Sequence, residues 1–297
     1  MRRIVKNSSM RKTDVLFIVC GIFMFVACFG LVFLFLYAFV NSFKGLGEYI
    51  DNPLGITREW RWDNYLMIID YFSVKIGVGA HAKVVYIEDM IFNTLLYCFG
   101  CVFCSLTVCT ITAYATARFD FKFSGFIYAF NLMAMSLTIV GTQASELKVL
   151  KDLHLYDTFI GNFILKANFL GLYFMVLHAI FKGVPKAYSE AAEIDGASEL
   201  RIFLSVMLPL ARNTLFTIGL IYFIGYWNDY QTPLLYLPSN PTIALGLFNF
   251  TKSTIPDIAS PTIKLGACII VFLPIFTLFL IFQKRIIGNI YMGGIKE

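Results

Sequence analysis

The sequence predicts an all-α membrane protein with six transmembrane helices, and three observations support this fold class. Of the 297 residues, 58% are hydrophobic and only 14% are charged, whereas soluble domains are close to half apolar and a quarter charged. Several apolar runs reach the roughly 20 residues that a helix needs to cross a bilayer. Backbone groups in lipid need partners within the chain, which a helix supplies. A disordered chain is excluded because hydrophobic residues dominate.

The first apolar run, residues 15–40, contains no charged residue and is too long for a cleaved signal peptide. The second run, residues 91–117, is also free of charge, and we interpret its Cys101-x-x-Cys104 pair as packing residues rather than a metal site. The predicted spans are 15–40, 91–117, 123–144, 158–180, 215–236 and 265–282. They define a transmembrane domain at 15–282 between an N-terminal arm, 1–14, and a C-terminal tail, 283–297.

An even number of spans puts both termini on one side of the membrane, and the basic residues indicate which side. The segments on the side of the termini are about twice as dense in Lys and Arg as the segments between the other span ends. The opening segment, MRRIVKNSSMRK, supports this orientation most strongly, because it is short and precedes the first span directly. We therefore expect both termini to be cytoplasmic.

The loop at 181–212 is the least membrane-like of the predicted cytoplasmic segments. Pro185 can open a short helix, and the run from Glu190 to Glu193 favours helix. Gly196 follows Asp195 and permits a turn with positive φ. Ser198 is a candidate N-cap for a second helix, which Pro209 ends or kinks. From the residues alone, an interfacial helix without a partner fits this pattern equally well.

The same loop resembles a known family. Its pattern is Glu190-Ala191-Ala192, three residues, Gly196, nine residues, Val206, one residue, and Leu208-Pro209. This spacing is similar to the EAA motif in the integral permeases of bacterial ATP-binding-cassette importers, although Val206 stands where Ile is more usual. The resemblance implies a type I importer permease architecture with a cytoplasmic EAA coupling helix. The residues that it implies for coupling to an ATPase are Glu190, Ala191, Ala192, Asp195, Gly196, Leu208 and Pro209.

Further short matches run along nearly the whole chain and resemble the maltose-permease-G-like carbohydrate branch of this family. They are Asn41-Ser42-Phe43-Lys44, Asn93-Thr94-Leu95, the run from Ala113 to Phe119, Leu155-Tyr156-Asp157-Thr158, Trp227-Asn228-Asp229-Tyr230 and Phe282-Gln283-Lys284-Arg285. The loops at 44–90 and 237–264 match this branch poorly, so the resemblance leaves the particular cargo open.

The resemblance also implies the partners and the energy source. It implies a second related permease, two ATPase subunits and an extracytoplasmic solute-binding protein, assembled in the bacterial cell membrane among its lipids. The sequence contains no GxxxxGK[ST] phosphate loop, and its three His (His81, His154 and His178) are scattered. We therefore expect no enzyme activity, no bound cofactor or metal, and no nucleic acid partner. We expect the partner ATPase, rather than this chain, to use ATP and Mg.

Polar residues inside predicted spans are candidates for a substrate pathway because burying them unpaired is costly. Hydrogen bonding between helices is the alternative role. The candidates are Asn131, Gln143, Asn162, Trp227, Asn228 and Asp229. Two further aromatic residues, Trp60 and Trp62, fit either an anchor at the membrane interface or a contact with the solute-binding protein.

Two alternatives to a sugar importer stay open at this point. The first keeps the importer class and changes the cargo to a polyamine, a peptide or an anion. The second is an ATP-independent transporter or channel, which would show an inverted repeat or broken helices. No convincing repeat is present in the sequence.

Overall fold

The computed structural model describes residues 12–77, 82–137 and 141–290. Most of the predicted N-terminal arm, the end of the predicted tail and His81 lie outside these residues. The α-helices are α1 (Lys12–Ser42), α2 (Leu46–Asp51), α3 (Asp63–Tyr71), α4 (Ile87–Arg118), α5 (Ser124–Ser136), α6 (Gln143–Asp152), α7 (Phe159–Lys166), α8 (Leu172–Gly183), α9 (Ala187–Ile194), α10 (Glu199–Ile202), α11 (Leu208–Trp227), α12 (Gln231–Tyr236), α13 (Ile243–Thr251) and α14 (Pro261–Ile290).

The all-α prediction needs one correction, because the loop after the first span contains a short antiparallel hairpin. Strand β1 (Ser73–Ile76) pairs with β2 (Lys83–Tyr86), and Ser73 lies opposite Tyr86. The β-branched residues Val74, Val84 and Val85 favour this extended form. Four-residue strands are too short for the hydropathy count of the sequence to detect.

The chain divides into two compact units. The first holds the described residues up to Tyr71 together with Ser253–Ile270. The second holds the described residues of Phe72–Lys252 together with those from Val271 onward. In the second unit, α4 is the central element and packs against α5, α7, α8, α11 and α13. Buried side chains of α4, α8 and the segment from α10 to α11, including Tyr114, Phe174, Phe181 and Met207, form an apolar cluster.

Four helical segments within the described residues are long and apolar enough to cross a membrane. They are Leu16–Ser42, Ile87–Arg118, Glu199–Trp227 and Pro261–Gln283. They coincide with the first, second, fifth and sixth predicted spans. The fifth differs in extent, because it begins earlier than predicted and ends at Trp227 rather than at residue 236.

The third predicted span, 123–144, is not one continuous helix. Helix α5 ends at Ser136, and the largely polar helix α6 begins at Gln143. Gly141 lies just before α6 and has a φ of +89°, which regular helix does not allow. Residues 138–140 lie outside the described part of the chain.

The fourth predicted span, 158–180, is broken between Lys166 and Leu172. Gly171 has a φ of +132° at the break. The buried side chain of Asn131 accepts a hydrogen bond from the Gly171 amide over 2.7 Å, and its Nδ2 donates to the Gly171 carbonyl over 3.4 Å. A hydropathy average cannot detect such a break, because the flanking residues are apolar on both sides. The count of six spanning helices therefore stays a prediction.

We expect the short helix α7 to depend on the absence of a side chain at Gly161. A Cβ at this position would overlap the backbone carbonyl oxygen of Leu155. The substitution Gly161→Ala should therefore lower the free energy of unfolding by roughly 1–3 kcal/mol, the usual cost of overpacking. Thermal unfolding of the purified protein in detergent measures this loss.

The matched control is Gly125→Ala in α5, where a Cβ would meet no atom within 4 Å. Ala is the better helix former by up to about 1 kcal/mol, so this variant should be neutral or slightly stabilised. An equal gain in melting temperature from both variants would contradict the described packing of α7.

Candidate functional site

The segment that carries the EAA pattern forms helix α9 and a well-defined turn. The Gly196 amide donates to the Glu193 carbonyl, and the Ala197 amide donates to the Ala192 carbonyl, each over 2.9 Å. This pair of bonds is the Schellman arrangement, which needs a residue with positive φ just after the helix. Gly196 meets that need with a φ of +78°. The backbone geometry thus explains why a glycine stands at this position.

The inner side of this segment packs on the apolar cluster that contains Tyr114, Phe174 and Phe181. Ala192 and Ala197 contact the cluster, to which α4 contributes Tyr114 and α8 contributes Phe181. The ring of Tyr114 lies 4.7 Å from the ring of Phe203, counted between centroids. The segment is therefore in direct contact with side chains of α4 and α8.

The outer side of the segment is exposed and partly apolar. Glu190 is exposed on it, and so are Tyr188, Leu200 and Ile194, the last with 86% of its surface accessible. The other implied coupling residues divide in the same way. Ala191, Asp195, Gly196 and Pro209 are exposed, whereas Ala192 and Leu208 are partly buried.

Of the two effects predicted for Pro209, ending or kinking the second helix, the structure excludes the ending. Helix α10 continues through a five-residue π-helical turn, Phe203–Met207, into α11, and Pro209 lies in the first turn of α11. Proline has no N–H and cannot donate to the carbonyl four residues earlier. The π-helical turn before it, in which each amide bonds the carbonyl five residues earlier, accommodates the proline within a continuous helix. Ser198 lies at the N-cap position of α10, but its side chain makes no capping hydrogen bond.

A cavity of about 570 Å³ lies within the second unit, next to the break between α7 and α8. Its lining combines hydrogen-bonding groups with aromatic rings. The polar lining residues include Gln143, Glu146, Lys166, Asn168, Gln231 and Thr232, and the aromatic ones are Tyr230, Tyr236 and Phe248. The rings of Tyr230 and Phe248 stack with centroids 4.5 Å apart. Flat rings beside convergent polar groups can hold a ligand with both apolar faces and hydroxyl groups.

An ion pair closes one wall of this cavity. The Lys166 Nζ lies 3.1 Å from the Asp229 Oδ2 and donates to the Thr232 hydroxyl over 2.9 Å. The same carboxylate oxygen accepts hydrogen bonds from the hydroxyls of Thr232 over 2.6 Å and Tyr97 over 3.1 Å. The side chains of Lys166 and Asp229 are only 24% and 17% exposed. The network joins the end of α7 to α4 and to the segment between α11 and α12.

Of the six predicted pathway residues, only Gln143 lines the cavity itself. Asp229 acts through Lys166, and Asn131 binds the Gly171 backbone. The Asn162 side chain donates to the Thr158 carbonyl, and its buried Oδ1 lacks a hydrogen-bond partner among the described residues. Trp227 is buried with its indole N–H donating to the Val271 carbonyl, and the exposed Asn228 side chain donates to the Ile224 carbonyl.

The prediction missed Lys166 as a cavity residue. A charged residue inside an apolar run was the signal that could have identified it, because a charge at membrane depth needs a partner. Glu146, Tyr230 and Thr232 gave no comparable signal, since nothing in their local sequence indicates that they face the same space.

Comparison with known proteins gives concordant matches. The family model described as "Binding-protein-dependent transport system inner membrane component" matches residues 3–289. The diacetylchitobiose uptake system permease protein NgcG of Streptomyces coelicolor is 25% identical over 264 residues, which is 88% of this chain and 83% of the relative. The trehalose/maltose transport system permease protein MalG of Thermococcus litoralis is 25% identical over 289 residues, 95% and 96% of the two chains.

The fold also matches a solved structure. A bacterial ABC transporter involved in the import of the acidic polysaccharide alginate contains a chain that superposes with a TM-score of 0.73. The match covers 92% of this chain and 98% of that chain at 22% identity. The likeness establishes that the two chains share a fold.

We expect the Lys166–Asp229 pair to stabilise the fold, because removing one partner leaves the other charge poorly paired in a partly buried site. Lys166→Met or Asp229→Asn should each cost roughly 1–3 kcal/mol, less than the ~3–5 kcal/mol of a fully buried pair. The double variant should recover part of the loss, with a coupling energy of about 1 kcal/mol. Denaturation of the four proteins in detergent measures this cycle.

The matched control is the exposed pair of Arg61 and Glu59, whose charged atoms lie 3.7 Å apart with more than half of each side chain accessible. Its cycle should give a coupling energy below about 0.5 kcal/mol. Equal coupling in the two cycles would show that the Lys166–Asp229 pair is no more than a surface contact.

Proposed function

Because this chain belongs to the family of binding-protein-dependent transport system inner membrane components, we propose that it forms half of the translocation pathway of an ATP-driven sugar importer. The observation that carries the proposal is the full-length match to permeases named for diacetylchitobiose and for trehalose/maltose. A likeness to one short motif would fit many transporters, whereas these matches extend over 88% and 95% of the chain.

The cavity supports a sugar or oligosaccharide as the cargo. A sugar ring presents C–H groups on its faces and hydroxyl groups around its edge. The ring of Tyr230, which stacks by one face on Phe248, suits the faces of the sugar, and Gln143, Gln231 and Lys166 suit the hydroxyls. Lys166 uses two of its three N–H groups on Asp229 and Thr232, which leaves one for a ligand.

The remaining components of the importer follow from the family. We propose that a second related permease completes the pathway, two ATPase subunits use ATP and Mg, and an extracytoplasmic solute-binding protein delivers the sugar. This chain would bind no cofactor of its own. In this arrangement both termini and the EAA segment face the cytoplasm of a bacterial cell.

The exposed side of α9 and α10 suits docking to the ATPase. Tyr188, Ile194 and Leu200 offer apolar surface, and Glu190 offers a charge beside it. The opposite side of the segment reaches the apolar cluster through Ala192 and Ala197. Closure of the ATPase dimer would therefore displace α4 and α8, because packed interfaces shift between discrete arrangements.

The test of the whole proposal is to purify the chain from native membranes and identify what accompanies it. A second permease, an ATPase and a solute-binding protein are the expected components. Thermal shifts of the binding protein against sugars, polyamines, peptides and anions then identify the cargo. A fully active transporter with this chain as its only permease would contradict the heteromeric arrangement. A thermal shift of the binding protein with a polyamine, a peptide or an anion, and none with a sugar, would contradict the proposed cargo.

We expect Gly196→Val to reduce sugar uptake while leaving membrane insertion intact. A β-branched residue at positive φ costs roughly 1–3 kcal/mol, and about 1.4 kcal/mol corresponds to a tenfold change. Uptake, membrane level and co-purified ATPase should be measured for each variant. The matched control is Gly196→Asn, because Asn adopts this conformation more readily and should retain most of the uptake.

Glu190→Lys tests the outer side of the same segment by reversing one exposed charge without straining the backbone. We expect weaker co-purification of the ATPase and at least a severalfold loss of uptake. Asp120→Lys reverses another exposed charge, outside the EAA segment, and should leave both unchanged. Normal uptake from Glu190→Lys and Gly196→Val at normal expression would show that the segment does not couple the ATPase to transport.

A further inference from the structure

We propose that the loop after α1 is a membrane-interface anchor, in which Leu54, Ile56, Trp60 and Trp62 contact the lipid headgroup region at the Ser42 end of α1. This contact with lipid does not depend on which cargo the protein transports. It decides between the two roles that the sequence left open for the tryptophans.

The position of the loop is the first argument. Both indoles pack on Phe43, the residue directly after α1, with ring centroids 5.0 Å away for Trp60 and 4.9 Å away for Trp62. The apolar span Leu16–Ser42 has 27 residues, a length of about 40 Å as a helix. That length reaches from one headgroup region to the other, since the hydrocarbon core alone is about 30 Å thick.

The loop also folds back beside the helix. The hydroxyl of Tyr37, inside the apolar span, hydrogen-bonds the hydroxyl of Tyr49 in α2 over 3.3 Å. Helix α2 therefore lies alongside the last turns of α1, and it does not project away from the membrane surface. Ile50 of α2 is exposed as well.

The exposed face of the loop combines aliphatic side chains with two tryptophans. Leu54 and Ile56 are 75% and 76% exposed, and Trp60 and Trp62 are 48% and 66% exposed. Tryptophan is enriched at membrane interfaces because its ring is apolar and its N–H seeks a polar partner. Arg61 lies between the two indoles in the sequence; it pairs loosely with Glu59 at 3.7 Å, and its side chain is more than half exposed, so it can also meet lipid phosphate.

Hydrogen bonds from two buried side chains hold the loop against the end of α1. Lys44 is fully buried, and its Nζ donates to the carbonyls of Asn52 and Gly55, each over 2.7 Å. The buried Asn64 side chain donates to the carbonyls of Ser42 and Lys44 over 2.8 and 3.1 Å. These bonds tie both ends of the loop to the end of α1.

The test uses the fluorescence of the two tryptophans. The chain contains three Trp, so the full-length Trp227→Phe variant emits only from Trp60 and Trp62. In phosphatidylcholine nanodiscs, we expect lipids brominated near the headgroup to reduce this emission roughly twofold, and aqueous iodide to reduce it much less. The variant with Trp60→Phe and Trp62→Phe, which emits from the buried Trp227, is the interior reference.

A second variant tests the hydrogen bonds that hold the loop in place. Lys44→Met removes the donor to both carbonyls, so iodide quenching of Trp60 and Trp62 should rise about twofold as the loop leaves its fixed position. Lys75→Met changes an exposed lysine on β1 and should leave the quenching unchanged.

A photoreactive benzoylphenylalanine at position 62 identifies the neighbour in the assembled transporter in native membranes. Adducts with lipid support the proposal. Adducts with the solute-binding protein or with another permease would overturn it, and so would emission that iodide quenches strongly and brominated lipid does not.

Discussion

Hydrogen bonding of the backbone at membrane depth is the constraint on which the rest of this structure depends. A chain in hydrocarbon can leave the helical form only where other groups of the protein satisfy its amides and carbonyls. At the break between α7 and α8, Asn131 binds both polar groups of Gly171, and Ser105 donates to the Lys166 carbonyl over 2.8 Å. The break exists because α4 and α5 supply these partners.

The cavity follows from that break. Where α7 ends, the chain turns away from the path of a continuous helix, and Lys166 at the end of α7 lines the resulting space. Its charge is tolerable there because Asp229, Thr232 and Tyr97 form one network around it. Broken helices also occur in secondary transporters, but the family match over residues 3–289 assigns this chain to importers that depend on a binding protein.

The sequence predicts the long spans and the turn at Gly196 well, because both depend on local properties. An apolar run or a glycine after an EAA helix carries its own signal. The cavity does not, since Lys166 and Asp229 are separated by 63 positions and meet only because α7 and α11 both pack against α4. For the same reason, the sequence could not decide whether Pro209 ends or kinks the helix. A proline usually stops a helix, and the π turn that accommodates it here leaves no local signature in the sequence.

The π turn makes the segment from Glu199 to Trp227 one continuous helical body of 29 residues, about 43 Å long. A tilt about its middle moves its two ends in opposite directions. Leu200 lies near one end and Asp229 just beyond the other. The helix is therefore a lever that connects the exposed surface at α10 to the ion pair at the wall of the cavity.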